Sequence, residues 1–250
     1  MNNNYISTTP GRVTKNGFGL SLVKNLDGNY SEEFKIYRDP NGGYWTTGAF
    51  GTNYGIELIV PNDGKRYKAV AAVDGRNILN GEKSSGSSRE AGYVLTPPSS
   101  MGDNVITGWR KDSASVNNFV FAEPEYSYAV MTGSSENEVG VIAVRFFSEL
   151  KELPPSPELF MSKGGATRGG SRGMGTGYGQ QTEFKTTSTT FTPDTSLDPV
   201  TLIIRIAQEI ELINGGCTLV YDPNNKIPGS DANPFPASGV PAPTGFNPYN

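Results

Sequence analysis

Histidine is absent from the chain and cysteine occurs once, at Cys217, so any chemistry here falls to carboxylates, lysines, arginines and aromatics. Without histidine there is no Ser-His-Asp triad and no imidazole base. Zinc sites of the usual kinds need Cys or His donors and are excluded with it. Carboxylates could still do acid–base work. Glu123, Glu125, Glu136 and Glu138 flank the segment before an apolar run, and Asp103 and Asp112 flank Trp109. None has a diagnostic spacing, and solvated loops account for them. A glycosidase pair facing across a groove cannot be read from sequence, and no Asp/Asn turn matches the calcium loop D-x-[DN]-x-[DN]-G-x₅-E.

Two other groups invite a functional reading. Lys163, Arg168 and Arg172 sit in the glycine run KGGATRGGSRGMGTGYGQQ, residues 163–181. Free backbone N–H groups with arginines can cradle an anion, but no phosphate-loop or dinucleotide spacing is present. The run reads as an ordered structural loop or linker, with phosphate or RNA contact as the alternatives. The pair Tyr44 and Trp45 follows a glycine turn and offers two candidate exposed aromatics for a sugar or protein surface, or else a cap on the open end of a sandwich. Cys217 reads as a small apolar core residue. No catalytic, metal or cofactor-binding residue is assigned, and the expectation is a protein that is not an enzyme.

These residues must be carried by strands. The 250 residues hold 31 glycines and 18 prolines, with only 18% charged and a net charge of −4, a composition of many short strands and ordered turns rather than charge-driven disorder. The start, MNNNYISTTPGR, lacks a basic region followed by an apolar one, so no signal peptide is expected, and no apolar run is long enough for a membrane span. Glu33–Arg38 alternates as a first strand. Ile56–Val60 and Tyr67–Val73 flank Asn62-Asp63-Gly64 and predict a β-hairpin. Asp74-Gly75 predicts a further turn. Val139–Phe147 is the strongest strand, expected to be central with both faces covered and with a close backbone approach at Gly140. Val200–Ile206 alternates, Ile210 and Ile213 then fit a helical face, and Gly215-Gly216 stops the helix.

The expected fold is all-β: an antiparallel β-sandwich, jelly-roll-like, with a short C-terminal helix and extended terminal arms. Its parts are an N-terminal arm 1–25, a main β domain 26–150, a Pro/Gly-rich connector 151–181, a strand and strand–helix segment 182–221 packing on the core, and a Pro-rich arm 222–250. That last arm carries seven prolines and three aromatics, Phe235, Phe246 and Tyr249, which read as partner anchors because buried aromatics carry much interface energy.

Four pieces in a fixed order carry a resemblance: Val73-Asp74-Gly75 with Asn77-Ile78-Leu79-Asn80-Gly81, then Gly92-Tyr93-Val94-Leu95, then Ile106-Thr107-Gly108-Trp109-Arg110. This core resembles a family of poorly characterised bacterial and phage-associated β-rich proteins. GMGTGYG and the segment from Leu202 to Gly215 are similar to that family's C-terminal portion. The resemblance covers about three-fifths of the chain and implies no catalytic residues. The arms are similar to those of virus capsid components. The function expected is therefore structural: a minor capsid, vertex or decoration component of a virion or similar assembly. Its expected partners are other structural proteins, copies of itself included, and its location the virion. The near-neutral tail speaks against nucleic acid, since genome-binding arms are strongly basic. The alternative is a carbohydrate-binding or carbohydrate-active β-sandwich.

Overall fold

The computed structural model describes residues 7–9, 11–26, 29–97, 104–134, 139–150, 174–183, 186 and 188–223. Phe235, Phe246 and Tyr249, Lys163, Arg168 and Arg172, and the carboxylates Asp103, Glu136 and Glu138 lie outside them. The fold is the all-β sandwich expected, and the chain passes back and forth between its two sheets. Strands β1 (Ser7–Thr9), β2 (Arg12–Lys15), β3 (Phe18–Leu26) and β4 (Asn29–Glu33) open the first sheet, and β5 (Ile36–Arg38) and β6 (Tyr44–Thr46) enter the second. The first sheet regains the chain at β7 (Asn53–Ile59), and the second at β8 (Tyr67–Val73), β9 (Arg76–Asn77) and β10 (Tyr93–Leu95). Then β11 (Val105–Ile106), β12 (Gly108–Arg110) and β13 (Ser115–Ala122) return to the first, followed by a one-turn helix α1 (Tyr128–Met131). β14 (Val141–Ser148) is in the second sheet and β15 (Gly175–Glu183) in the first, and β16 (Val200–Ile206), helix α2 (Glu209–Asn214) and β17 (Thr218–Tyr221) finish on the second.

The second sheet runs β10-β8-β14-β16-β6-β5-β17, antiparallel except for the parallel pair β16·β6. β14 is therefore the inner strand expected, hydrogen-bonded to β8 and β16. Its faces differ: Ile142, Val144 and Phe146 are fully buried, while Val141, Ala143 and Arg145 are only half-buried. Period-two alternation fills the core from both layers, with Leu20, Leu22, Tyr54, Ile56, Leu58, Phe119 and Phe121 from the first sheet meeting Ala71, Val73, Leu202 and Ile204 from the second. Phe18 bridges the layers, edge-on to Tyr67 at 5.0 Å and against Phe146 at 4.9 Å.

Three expectations are corrected. Residues 11–25 are not an arm. Asn16 and Gly17 have φ of 53° and 81°, the left-handed pair of a two-residue hairpin, and they join β2 to β3, which lies inside the first sheet against β7. The alternating Phe18, Leu20 and Leu22 are core residues. Second, β7 and β8 do not form a hairpin: β7 pairs with β3, β11 and β13, and β8 with β9, β10 and β14. The seven residues 60–66 turn the corner between sheets, which a tight loop could not do. Third, the connector ends early, because its last residues form β15 along β13. The alternating Gly175, Gly177 and Gly179 allow this approach: a Cβ at Gly175 would sit 2.6 Å from Ser127 Cβ, and one at Gly179 2.7 Å from the Asn118 carbonyl oxygen.

The turn at Asp74-Gly75 is the two-residue link of β8 and β9, with φ of 51° and 75°. Its aspartate is fully buried. Oδ1 accepts the N–H groups of Gly140 (2.7 Å) and Val141 (3.3 Å), and Oδ2 accepts that of Thr176 (2.8 Å). Thr176 Oγ1 lies 2.6 Å from Tyr54 Oη. Burial pushes the Asp74 carboxyl up to about 7, against the pull of the three N–H donors. Because the folded value exceeds the unfolded one, this group's contribution is fully present below about pH 4 and lost as pH rises through about 7. Asp74→Asn is expected to cost about 1–3 kcal/mol, since one amide edge then faces N–H donors. Urea unfolding of wild type and variant should give a larger difference at pH 4.5 than at pH 7.5, and a pH-independent difference would show that Asp74 does not titrate in this range.

Candidate functional site

The aromatic pair separates. Tyr44 and Thr46 point into the core and Trp45 points out, as alternation on β6 requires. Tyr44 is therefore corrected from a candidate exposed aromatic to a buried core residue. Trp45 is half-buried and already engaged, donating Nε1–H to Asp39 Oδ2 at 2.8 Å with the Arg205 guanidinium 5.7 Å from its ring. Asp112 organises a turn, accepting from the N–H groups of Ala114 and Ser115 and the Ser115 hydroxyl at 2.7–2.8 Å. Glu123 precedes, and Glu125 lies within, a single 3-10 turn, Pro124–Tyr126. Cys217 packs beside Tyr37, Ala207 and Leu212.

Sequence reasoning missed one carboxylate cluster. Glu57 lies mid-strand between Ile56 and Leu58, on the outer face of the first sheet, yet is buried. It accepts the Ser21 hydroxyl at 2.9 Å and the Arg12 guanidinium at 3.2 Å. Glu33 lies on the same arginine, 3.6 Å away, and accepts the Tyr221 hydroxyl at 2.8 Å. Burial holds the Glu33 carboxyl above the usual range, and Tyr221 and Arg12 oppose it. Two carboxylates near one another are the raw material of acid–base catalysis, but these line none of the clefts described below and share one cation. They tie β2, β3, β4, β7 and β17 together. The available signal was a lone Glu in an apolar strand.

A cleft of about 820 Å³ opens at one end of the sandwich. Phe34 and Lys35 reach it from the β4–β5 link, Lys24 from β3, Phe50 from the β6–β7 loop, Met174 from the head of β15, Glu209 and Ile210 from α2, and Pro223 from just beyond β17. Its floor is apolar and its charges are neutralised locally. Lys35 Nζ donates to Glu209 at 2.9 Å and lies 3.8 Å from Asp222, and the Tyr37 hydroxyl also donates to Glu209. Tyr37 and Lys35 together hold the Glu209 carboxyl below its ordinary value. Lys24 Nζ sits 5.6 Å over the Phe34 ring.

Helix α2 shapes the rim. Gln208 and Glu211 form its capping box, and its one buried side chain is Leu212. The helical face expected at Ile210 and Ile213 is real, but it points outward: they are 59% and 58% exposed. On the adjoining β17, Leu219 and Val220 are 46% and 41% exposed, and Phe50 across the cleft is 43% exposed. The helix and the strand that follows it thus each carry exposed apolar side chains, and Ile210 among them lines the cleft. A second aromatic feature lies elsewhere: Tyr178 stacks on Tyr128 at 5.2 Å and is half exposed, near the exposed Tyr126.

Among the described residues no group of three or more His, Cys, Asp or Glu is placed to hold a metal, and no helix is long and apolar enough to cross a membrane. No protein-family model, curated protein or solved structure matches the chain.

An apolar probe such as anilinonaphthalene sulfonate is expected to bind the native protein at this corner. Ile210→Lys with Ile213→Lys should abolish that fluorescence and shift stability by under ~1 kcal/mol, since both side chains are mostly solvent-exposed. Unchanged fluorescence in the double variant would place the probe elsewhere.

Proposed function

We propose that the chain is a structural subunit of a virion or similar assembly, a minor capsid, vertex or decoration component that works through protein–protein contacts. The observation that carries this reading is the exposure of four large apolar side chains, Ile210 and Ile213 on α2 and Leu219 and Val220 on β17, just before the Pro-rich segment. Exposed apolar side chains grouped on one helix and the strand after it suit an interaction site better than singly scattered ones do. The state of the polar groups supports it too: Asp74, Glu57, Glu90 and Glu209 are each satisfied by fixed donors within the fold. Glu90 is held down at about 2, where hydrogen bonds from Ser84, Ser85 and Ser87 outweigh its burial. Such carboxylates hold structure rather than shuttle protons. The net charge of −4 favours protein over nucleic-acid partners.

Particles purified from the source on a density gradient are expected to contain the chain at a fixed ratio to the main shell protein. Absence from washed particles overturns the assignment. Replacing Phe235, Phe246 and Tyr249 together by Ala in the full chain should lower incorporation at least tenfold and leave the circular dichroism spectrum unchanged.

One observation favours a second reading. The Tyr178 and Tyr128 stack, with Tyr178 half exposed and Tyr126 exposed, is an aromatic surface of the kind a glycan-binding protein presents to sugar rings. A glycan array is the direct test: binding lost in Tyr178→Ala would favour carbohydrate recognition, and a blank array would remove it.

A further inference from the structure

We infer that the end cleft is the receptor for the proline-flanked Phe235 of a second copy of this chain; this rests on the assembly reading above and assigns the contact that makes it. The cleft suits such an occupant. Its volume of about 820 Å³ falls within the ~300–1,000 Å³ of pockets that enclose a small ligand. Phe34, Phe50, Met174, Ile210 and Pro223 give it an aromatic and apolar lining, the kind of groove that takes Pro-rich peptides at low ordering cost. The sequence Asn233-Pro234-Phe235-Pro236 supplies an aromatic between two prolines.

Charge selects in the same direction. Residues 224–250 carry only Lys226 and Asp231 as charged side chains. In the cleft, Glu209 is held by Lys35 and Tyr37, and Lys35 by Glu209 and Asp222. An uncharged occupant can therefore dehydrate the site without orphaning an ion, whereas a charged ligand would meet no unsatisfied counter-charge there.

A second copy, rather than the chain's own tail, follows from where the described chain ends. Pro223, the last described residue, is itself part of the lining. Phe235 lies 12 residues further on, with Pro228 and Pro234 between. At ~3.1 Å per residue for a polyproline-type path that is roughly 37 Å, a reach toward a neighbour. Insertion of one chain's tail into the next chain's cleft is a heterologous contact, which propagates into rings or extended arrays, as a shell component requires.

The test uses the full chain with Phe50→p-benzoylphenylalanine, a substitution at a partly exposed position, in an equal mixture of unlabelled and ¹⁵N-labelled protein. Irradiation is expected to give a covalent dimer in which mass spectrometry finds position 50 joined to the peptide containing Phe235, half of the pairs being of mixed isotope. Phe235→Ala and Ile210→Glu should each reduce the dimer at least tenfold, and Leu197→Glu, outside the lining, should leave it unchanged. Cross-linking to Phe235 within a single chain overturns the second-copy assignment, and cross-linking to any other segment, or none, overturns the cleft as receptor. Sedimentation velocity on the same protein separates the two readings. Self-association without a Phe235 cross-link leaves the assembly reading standing and removes this one. A monomer at every concentration that is also missing from purified particles removes both.

Discussion

The buried carboxylate of Asp74 is the constraint on which the two layers depend. Its backbone turns the chain from β8 into β9, its N–H donates to the Val141 carbonyl, and its side chain accepts from the starts of both β14 and β15. β14 belongs to one sheet and β15 to the other, so one side chain fixes their spacing and register where packing alone would tolerate slippage. The consequence reaches the cleft. Two residues before the Thr176 anchor, Met174 donates its N–H to Ile206 at the end of β16, and it forms part of the cleft floor. Glu209 and Ile210 follow Ile206 after only two residues, Ala207 and Gln208. The position of the cleft is thus set by a chain of hydrogen bonds that starts at a buried acid.

The polar groups of this protein divide by what surrounds them. Asp74 is met only by backbone N–H groups, so burial and hydrogen bonding oppose each other and its carboxyl rises. Glu57 and Glu33 face a guanidinium and hydroxyls, and they join the N-terminal strands to β17 across a large sequence separation. Buried ion pairs of this type seldom add much net stability, because desolvation offsets attraction. Their effect is selective: a slipped register would leave two carboxylates buried without donors. Both sites resemble chemistry when read as residue types, and both are architecture when read as geometry.

What was legible in the sequence was what a single strand or turn determines for itself. β14 and β16 announce themselves by alternating Ile, Val, Leu and Phe, α2 stops at Gly215 as expected, and Asp74-Gly75 adopts the left-handed pair its residue types favour. Pairing partners were not legible. β7 and β8 are neighbours in sequence with a turn between them, and only the requirement that each close a different sheet separates them. β15 was hidden because glycine disfavours strands in general, whereas here alternate glycines are what allow its backbone to approach β13 and Ser127. β3 was hidden by the polar residues around it, although Phe18, Leu20 and Leu22 carry the period-two signal. The cleft was illegible for a different reason: its lining comes from six separate stretches of chain, none with a motif of its own.

The apolar corner is also the weakest point of the architecture, and that argues for its being covered in the working protein. β17 ends the strand order of its sheet and, among the described strands, pairs only with β5. Edge strands are ordinarily protected by charge, proline or a bulge. β17 has a register shift between Leu219 and Tyr221, which bends the strand, but both side chains at its middle are exposed and apolar. The helix before it does the same with Ile210 and Ile213. Polar residues at these four places would satisfy the fold equally well, since Leu212 alone anchors the helix inward. The apolar choice gains nothing for the isolated domain and invites association. It becomes favourable when a partner removes that surface from water, at roughly 25 cal/mol for each Å² covered.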